Sequence, residues 1–177
     1  MENLVNDSTT TADKFFGLSA AYLSAADKLA KHNSSELQSD VDYVGSACMF
    51  NARLGVELFL KGMIVLRDPN AKVGTHVLEQ LSRKFREIYP EKEFNWSVPF
   101  TVQIIGGSEQ ERAEAIREAI HNRPLDQVFR YPTDNKGRAW ELLVNFKPSW
   151  FNNFLLDICG DIQRLKHAAS YGLTNIA

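Results

Sequence analysis

Residues 40–68 read DVDYVGSACMFNARLGVELFLKGMIVLRD. Between Val41 and Leu66 nearly every residue is apolar or small, and no proline interrupts the run. At about 1.5 Å per residue it predicts one helix of roughly 40 Å. The run is apolar nearly all the way round, which is the pattern of a helix enclosed by others. A membrane span is the competing reading. Arg53, Glu57 and Lys61 break the run before it reaches the ~20 uninterrupted apolar residues a span needs, so a buried helix of a bundle is expected.

Those three charges stand at i, i+4 and i+8 and form a ladder on one side of the helix, with complementary steps from Arg53 to Glu57 and from Glu57 to Lys61. The ladder has two readings. It is either a solvated stripe, where ion pairs contribute little, or the lining of a polar groove inside the bundle or at a dimer seam. The second reading requires a partner for every charge, because burying an unpaired one is costly. Gly45, Gly55 and Gly62 lower helix propensity in the same run, which points to close approach of a neighbouring helix.

Around this element the chain divides into further helices. Residues 1–10 read as a loose arm. Thr10 or Thr11 is suited to cap a first helix over Thr11–His32, with Asp13 in its first turn and a stripe of Phe15, Leu18, Ala21, Tyr22, Ala25, Ala26 and Leu29. Asn33, Ser34 and Ser35 mark its end, and Ser39 or Asp40 is the expected cap of the long second helix. Asp68, Pro69 and Asn70 end that helix. Thr75 is the expected cap of a third, which Pro90 stops. Residues 91–107 are aromatic and β-branched and suggest an extended segment or short strand, with Pro99 excluding a central one.

Ser108 is placed to cap a fourth helix over Glu109–His121, with Glu111 completing a capping box. Residues 122–147 read as a proline-bearing loop followed by RAWELLVNF, a candidate hairpin partner for the earlier extended segment. Pro148 suits the first turn of a fifth helix over Ser149–Ser170, whose stripe is Trp150, Phe154, Leu155, Ile158, Ile162 and Leu165. The expected fold is therefore all-α: one domain over residues 1–177, an antiparallel bundle of four or five helices with a small irregular or β insertion between helices 3 and 5.

The 44% apolar and 24% charged fractions are ordinary for a soluble domain. A net charge of −2 supplies no global basic field, so DNA is an unexpected partner, while a local basic groove remains open. Cys48 and Cys159 are far apart and read as two small buried hydrophobes in a reducing compartment. The N-terminal MENLVNDSTTTADK has no apolar signal-peptide core, and the expected location is cytoplasmic with no membrane partner.

Three local patterns line up along the chain. They are Glu57-Leu58-Phe59-Leu60-Lys61-Gly62 on the long helix, Thr75-His76-Val77-Leu78-Glu79-Gln80-Leu81 opening the next, and Phe129-Arg130-Tyr131-Pro132-Thr133-Asp134 further on. Their order and spacing resemble the HEPN superfamily of helical-bundle domains over about residues 11–170. The resemblance implies a bundle that commonly forms homodimers and members acting in RNA cleavage, toxin–antitoxin systems, phage defence or nucleotide-linked regulation. The ribonuclease branch carries R-x(4–6)-H on a late helix. Here Arg164 and His167 have two residues between them, and Arg117 and His121 have three. The departure points to a non-catalytic binding or regulatory member, with RNA, a nucleotide or a protein as partner. A divergent metal-independent ribonuclease and a purely structural dimerisation module are the alternatives.

Candidate residues follow from chemistry. An Arg–His pair can stabilise charge and move a proton in phosphate-ester cleavage, so Arg117 with His121 and Arg164 with His167 are the catalytic candidates, against ordinary surface residues of amphipathic helices. Arg53, Glu57 and Lys61 are ligand-binding candidates as groove lining. His76 is another, either beside free N–H groups at a helix start or packed on the second helix with a local hydrogen bond. Arg130 and Tyr131 complete the set, Arg130 reaching either a ligand phosphate or Glu57. Glu118 and His121 have the i, i+3 spacing of a di-iron carboxylate site, but no second such motif exists, so neither metal nor cofactor is expected.

Overall fold

The structure is a computed structural model, and it describes residues 9–32, 38–101, 110, 125–131, 136–137 and 146–174. The protein is all-α, with no strand among the described residues. Helix α1 spans Thr11–His32, α2 Gln38–Arg67, α3 Leu78–Ile88, α4 Leu125–Val128 and α5 Pro148–Thr174, with a 3-10 turn at Lys92–Phe94. None of the described helices is long and apolar enough to cross a membrane. Residues 1–8 of the expected arm over 1–10, nearly all of the fourth helix over Glu109–His121 and the stretch 138–145 lie outside the described residues.

Helix α1 begins where the capping chemistry puts it. The Thr10 hydroxyl accepts from the Asp13 N–H at 3.1 Å, and the Asp13 carboxylate accepts from the Thr10 N–H at 3.2 Å. This reciprocal arrangement satisfies two otherwise orphaned donors. It also holds the Asp13 carboxyl below its usual range, chiefly through the hydrogen bond from the Thr10 side chain.

Helix α2 is the axis of the molecule. Its buried side chains include Cys48, Ala52, Val56, Phe59, Leu60, Met63 and Ile64. Helix α1 lies antiparallel against it, Phe16 meeting Phe59 at a centroid distance of 5.8 Å and the Ser19 hydroxyl donating to the Gly55 carbonyl at 2.7 Å. The glycines allow this approach. A Cβ on Gly55 would stand 2.7 Å from Leu23, and one on Gly62 would stand 2.6 Å from Phe16. Gly45 plays the same part toward Phe146, which leads into α5.

That close seam corrects the expected apolar stripe of α1. The buried positions are Ala12, Ser19, Leu23, Ala26 and Ala30, whereas Leu18 is 50% exposed and Leu29 is also exposed. Small side chains let the two backbones approach, and the bulky set is displaced to one flank. Helix α5 shows the same half-match. Leu155, Ile158 and Leu165 are buried as expected, joined by Phe151, while Trp150 is exposed and stacks on Phe154 at 5.2 Å.

Helix α2 starts at Gln38, so Ser39 and Asp40 lie inside its first turn instead of capping it. Helix α3 starts at Leu78 with Val77, in an extended conformation, in the capping position in place of the expected Thr75. The Thr75 hydroxyl accepts from the Val77 N–H and is paired with Gln80 Oε1. The 3-10 turn and the segment after it pack their aromatic rings inward, with no β pairing in the described part of residues 91–107. Trp96 meets Phe59 edge-on, and Phe94 packs on Tyr89. The Tyr89 hydroxyl donates to the Met63 carbonyl at 2.8 Å, and Arg67 and Glu91 close the same corner at 2.7 Å.

Candidate functional site

The charge ladder is buried. Arg53, Glu57 and Lys61 are 5%, 1% and 6% exposed on three successive turns of α2. Removing such charges from water costs several kcal/mol per ion unless partners compensate. Here the Glu57 carboxylate is the shared partner. Its Oε2 takes Arg53 Nη1 at 3.3 Å, and its Oε1 takes Lys61 Nζ at 2.9 Å. The solvated-stripe reading is therefore wrong for this face, and every rung is paired.

A further group completes the arrangement. His76 Nδ1 lies 2.8 Å from Glu57 Oε1, and Arg53 Nη2 donates to the His76 carbonyl at 2.8 Å. These two contacts pull residues 75–77 onto α2. They give the physical reason that α3 starts late: the backbone at His76 is held by α2 and stays extended. The His76 side chain is 70% exposed, in contrast to the three it touches. It is the member of the cluster that meets solvent. With a neutral imidazole, the four side chains carry two cations and one anion. Arg53 Nε is buried and has no hydrogen-bond partner.

Arg130 does not reach Glu57. Its guanidinium carbon lies 5.1 Å from the centroid of the Phe50 ring and 5.9 Å from that of Tyr131. A guanidinium over an aromatic face is a favourable contact that leaves its N–H edge open to an acceptor. The backbone N–H groups of Arg130 and Tyr131 both donate to the Gln127 carbonyl, so the turn closing α4 presents both residues. Arg130 and Tyr131 are exposed. Phe50 precedes Glu57 by seven residues, two turns of one helix face and about 10 Å. The Arg130–Tyr131 aromatic site and the His76 charge site thus share one side of α2. Phe50 carries no sequence mark of this role beyond standing one turn before Arg53.

The Arg–His candidates divide. Arg164 is committed to structure: Nη1 donates to the Glu93 carbonyl at 2.6 Å, and Nη2 donates to the Asn95 carbonyl at 3.0 Å and to Asp161 at 2.9 Å. It clamps α5 to the 3-10 turn. His167 is exposed on the same helix. Arg117 and His121 lie outside the described residues. The cysteines are poor nucleophiles where they stand. Burial pushes the Cys48 thiol up to about 11 and raises the Cys159 thiol as well, and a thiol held protonated does not attack. No cluster of three or more metal-ligating side chains occurs among the described residues.

No family model, curated protein or solved structure matches the chain.

Proposed function

We propose that the protein is a HEPN-like binding or regulatory protein, an antiparallel helical bundle acting as a homodimer, that engages RNA or a nucleotide through the side of α2 carrying His76, Arg130 and Tyr131. The observation that carries this reading is the composition of that face. A buried ion cluster with more cations than anions opens to solvent through one imidazole. Two helical turns before Glu57, a rise of about 10 Å along α2, Arg130 lies over the half-buried Phe50 ring with Tyr131 beside it. Phosphate and a planar base are the ligand parts such a pair of features suits, by charge-assisted hydrogen bonding and by stacking.

A binding reading is favoured over a ribonuclease because Arg164 is engaged with three acceptors and would have to abandon them to reach a phosphate. The test is fluorescence anisotropy with a labelled single-stranded RNA and with nucleoside monophosphates, beside a gel that reads RNA integrity. The expected result is salt-dependent binding of intact RNA, with affinity in the range of about 1–100 μM typical of sequence-independent phosphate contacts. His76→Ala and Arg130→Ala are each expected to weaken it. Binding unchanged in both variants, or cleavage abolished by His167→Ala, contradicts the reading.

A further inference from the structure

The Glu57–His76 contact fixes which imidazole nitrogen carries the proton. Glu57 lies against Arg53 and Lys61, so its carboxylate acts as an acceptor. His76 Nδ1, at 2.8 Å from Oε1, is therefore the donor. A neutral imidazole has a single N–H. Nε2, on the opposite edge of a largely exposed ring, then holds a lone pair and has no partner among the described residues. A second proton on this ring can go only to Nε2.

We propose that the Glu57–His76 pair is a proton-linked subsite for a phosphate monoester, such as a nucleotide or the phosphorylated end of an RNA. The phosphate binds at His76 Nε2, and that nitrogen takes up a proton from solvent as it does so. This rests on the reading of the face as an RNA or nucleotide site. Two observations support it. The charge sum over Arg53, Glu57, Lys61 and His76 is +1 with a neutral ring and +2 with a protonated one, and a phosphate dianion cancels the latter. The cluster is also short of acceptors: Glu57 serves three side chains, and the buried Arg53 Nε has none. Among the described residues, the charged groups facing His76 are Glu57, Arg53 and Lys61, all from α2.

The sign follows from linkage: whatever the ligand gains from the added proton, the proton gains from the ligand. Affinity for a monoester dianion therefore declines as protons become scarcer with rising pH. The Arg130 guanidinium over Phe50, with Tyr131 beside it, is the stacking element for the base end of the ligand.

Isothermal titration calorimetry of the full chain at about pH 7.5 tests this, where a phosphate monoester is largely the dianion. Titrations in two phosphate-free buffers of different ionisation enthalpy count protons. The ligands are AMP, a short RNA with a 5′-phosphate, and the same RNA with a 5′-hydroxyl. The expected result is net proton uptake with AMP or with the phosphorylated RNA, and none with the hydroxyl-ended RNA. His76→Gln, checked for folding by circular dichroism, is expected to abolish the uptake and weaken monoester binding at least roughly tenfold, the loss of one charge-assisted hydrogen bond. RNA binding in which the 5′-phosphate adds neither affinity nor a proton overturns the subsite and leaves the RNA reading standing. Uptake that persists in His76→Gln also overturns it. Failure of all three ligands to bind overturns both.

Discussion

Glu57 is the residue on which the cluster depends. Replacing it by Ala leaves Arg53 and Lys61 buried without a counter-charge, a change expected to cost about 3–5 kcal/mol in urea unfolding. Two other side chains show burial in their titration. Burial pushes the Tyr89 phenol up to about 12. Its folded pKa therefore stands above the unfolded value of about 10. The stability it contributes is present below about pH 10 and is lost as pH rises from there toward 12. Spectroscopic titration of the tyrosines is expected to show one phenol ionising late, close to the onset of alkaline unfolding, and Tyr89→Phe to remove that late component. Cys48, buried and held protonated, is expected to resist iodoacetamide until the protein unfolds.

At the scale of elements, the glycines separate into two kinds. Gly17 and Gly160 have nothing within 4 Å of an added Cβ. Both lie within helices and face solvent, so Gly17→Ala and Gly160→Ala are expected to stabilise the fold by about 0.5–1 kcal/mol each. Gly55→Ala is expected to do the reverse, by about 1–3 kcal/mol, because its Cβ would meet Leu23 at 2.7 Å and the Ser19 carbonyl at 3.3 Å. Thermal melts of the three variants check the contrast. Much of this element structure is legible in the sequence. The Thr10–Asp13 cap opens α1, the helix ends at His32 as the sequence predicts, and Pro148 opens α5. The glycines of α2 point to a close neighbour. The inward face of α1 is legible only at Ala26, because Leu18 and Leu29 outrank Ser19 and Ala30 in hydrophobicity while close backbone packing prefers the smaller set. The start of α3 is hidden for a related reason. Thr75 has cap chemistry, but two long-range contacts from α2 to His76 hold the backbone extended past it.

For the molecule as a whole, the spacing of Arg53, Glu57 and Lys61 predicts a common face but not whether that face is wet, since i, i+4 spacing is the same in both cases. The long-range contacts to His76, from a separate segment, are likewise unmarked by that spacing. The Arg130–Phe50 contact joins positions eighty residues apart, and no local pattern marks it. Arg164 ties α5 to the 3-10 turn across a similar separation, and Arg164→Ala is expected to lower stability by about 1–2 kcal/mol without changing RNA binding. Such a result separates its clamp role from a catalytic one.

The buried cluster also permits a test that separates stability from function. Replacing a complete buried ion set with apolar side chains of similar volume is often neutral or stabilising. The triple variant Arg53→Met, Glu57→Leu, Lys61→Met is therefore expected to fold with a urea midpoint near that of the unmodified protein, while losing the anchor of His76 and the positive charge behind it. The measurement to make is its anisotropy-derived affinity for single-stranded RNA beside that of the unmodified chain. The expected result is a folded protein that binds at least roughly tenfold more weakly. A folded triple variant that binds RNA with unchanged affinity contradicts the assignment of this face as the binding site.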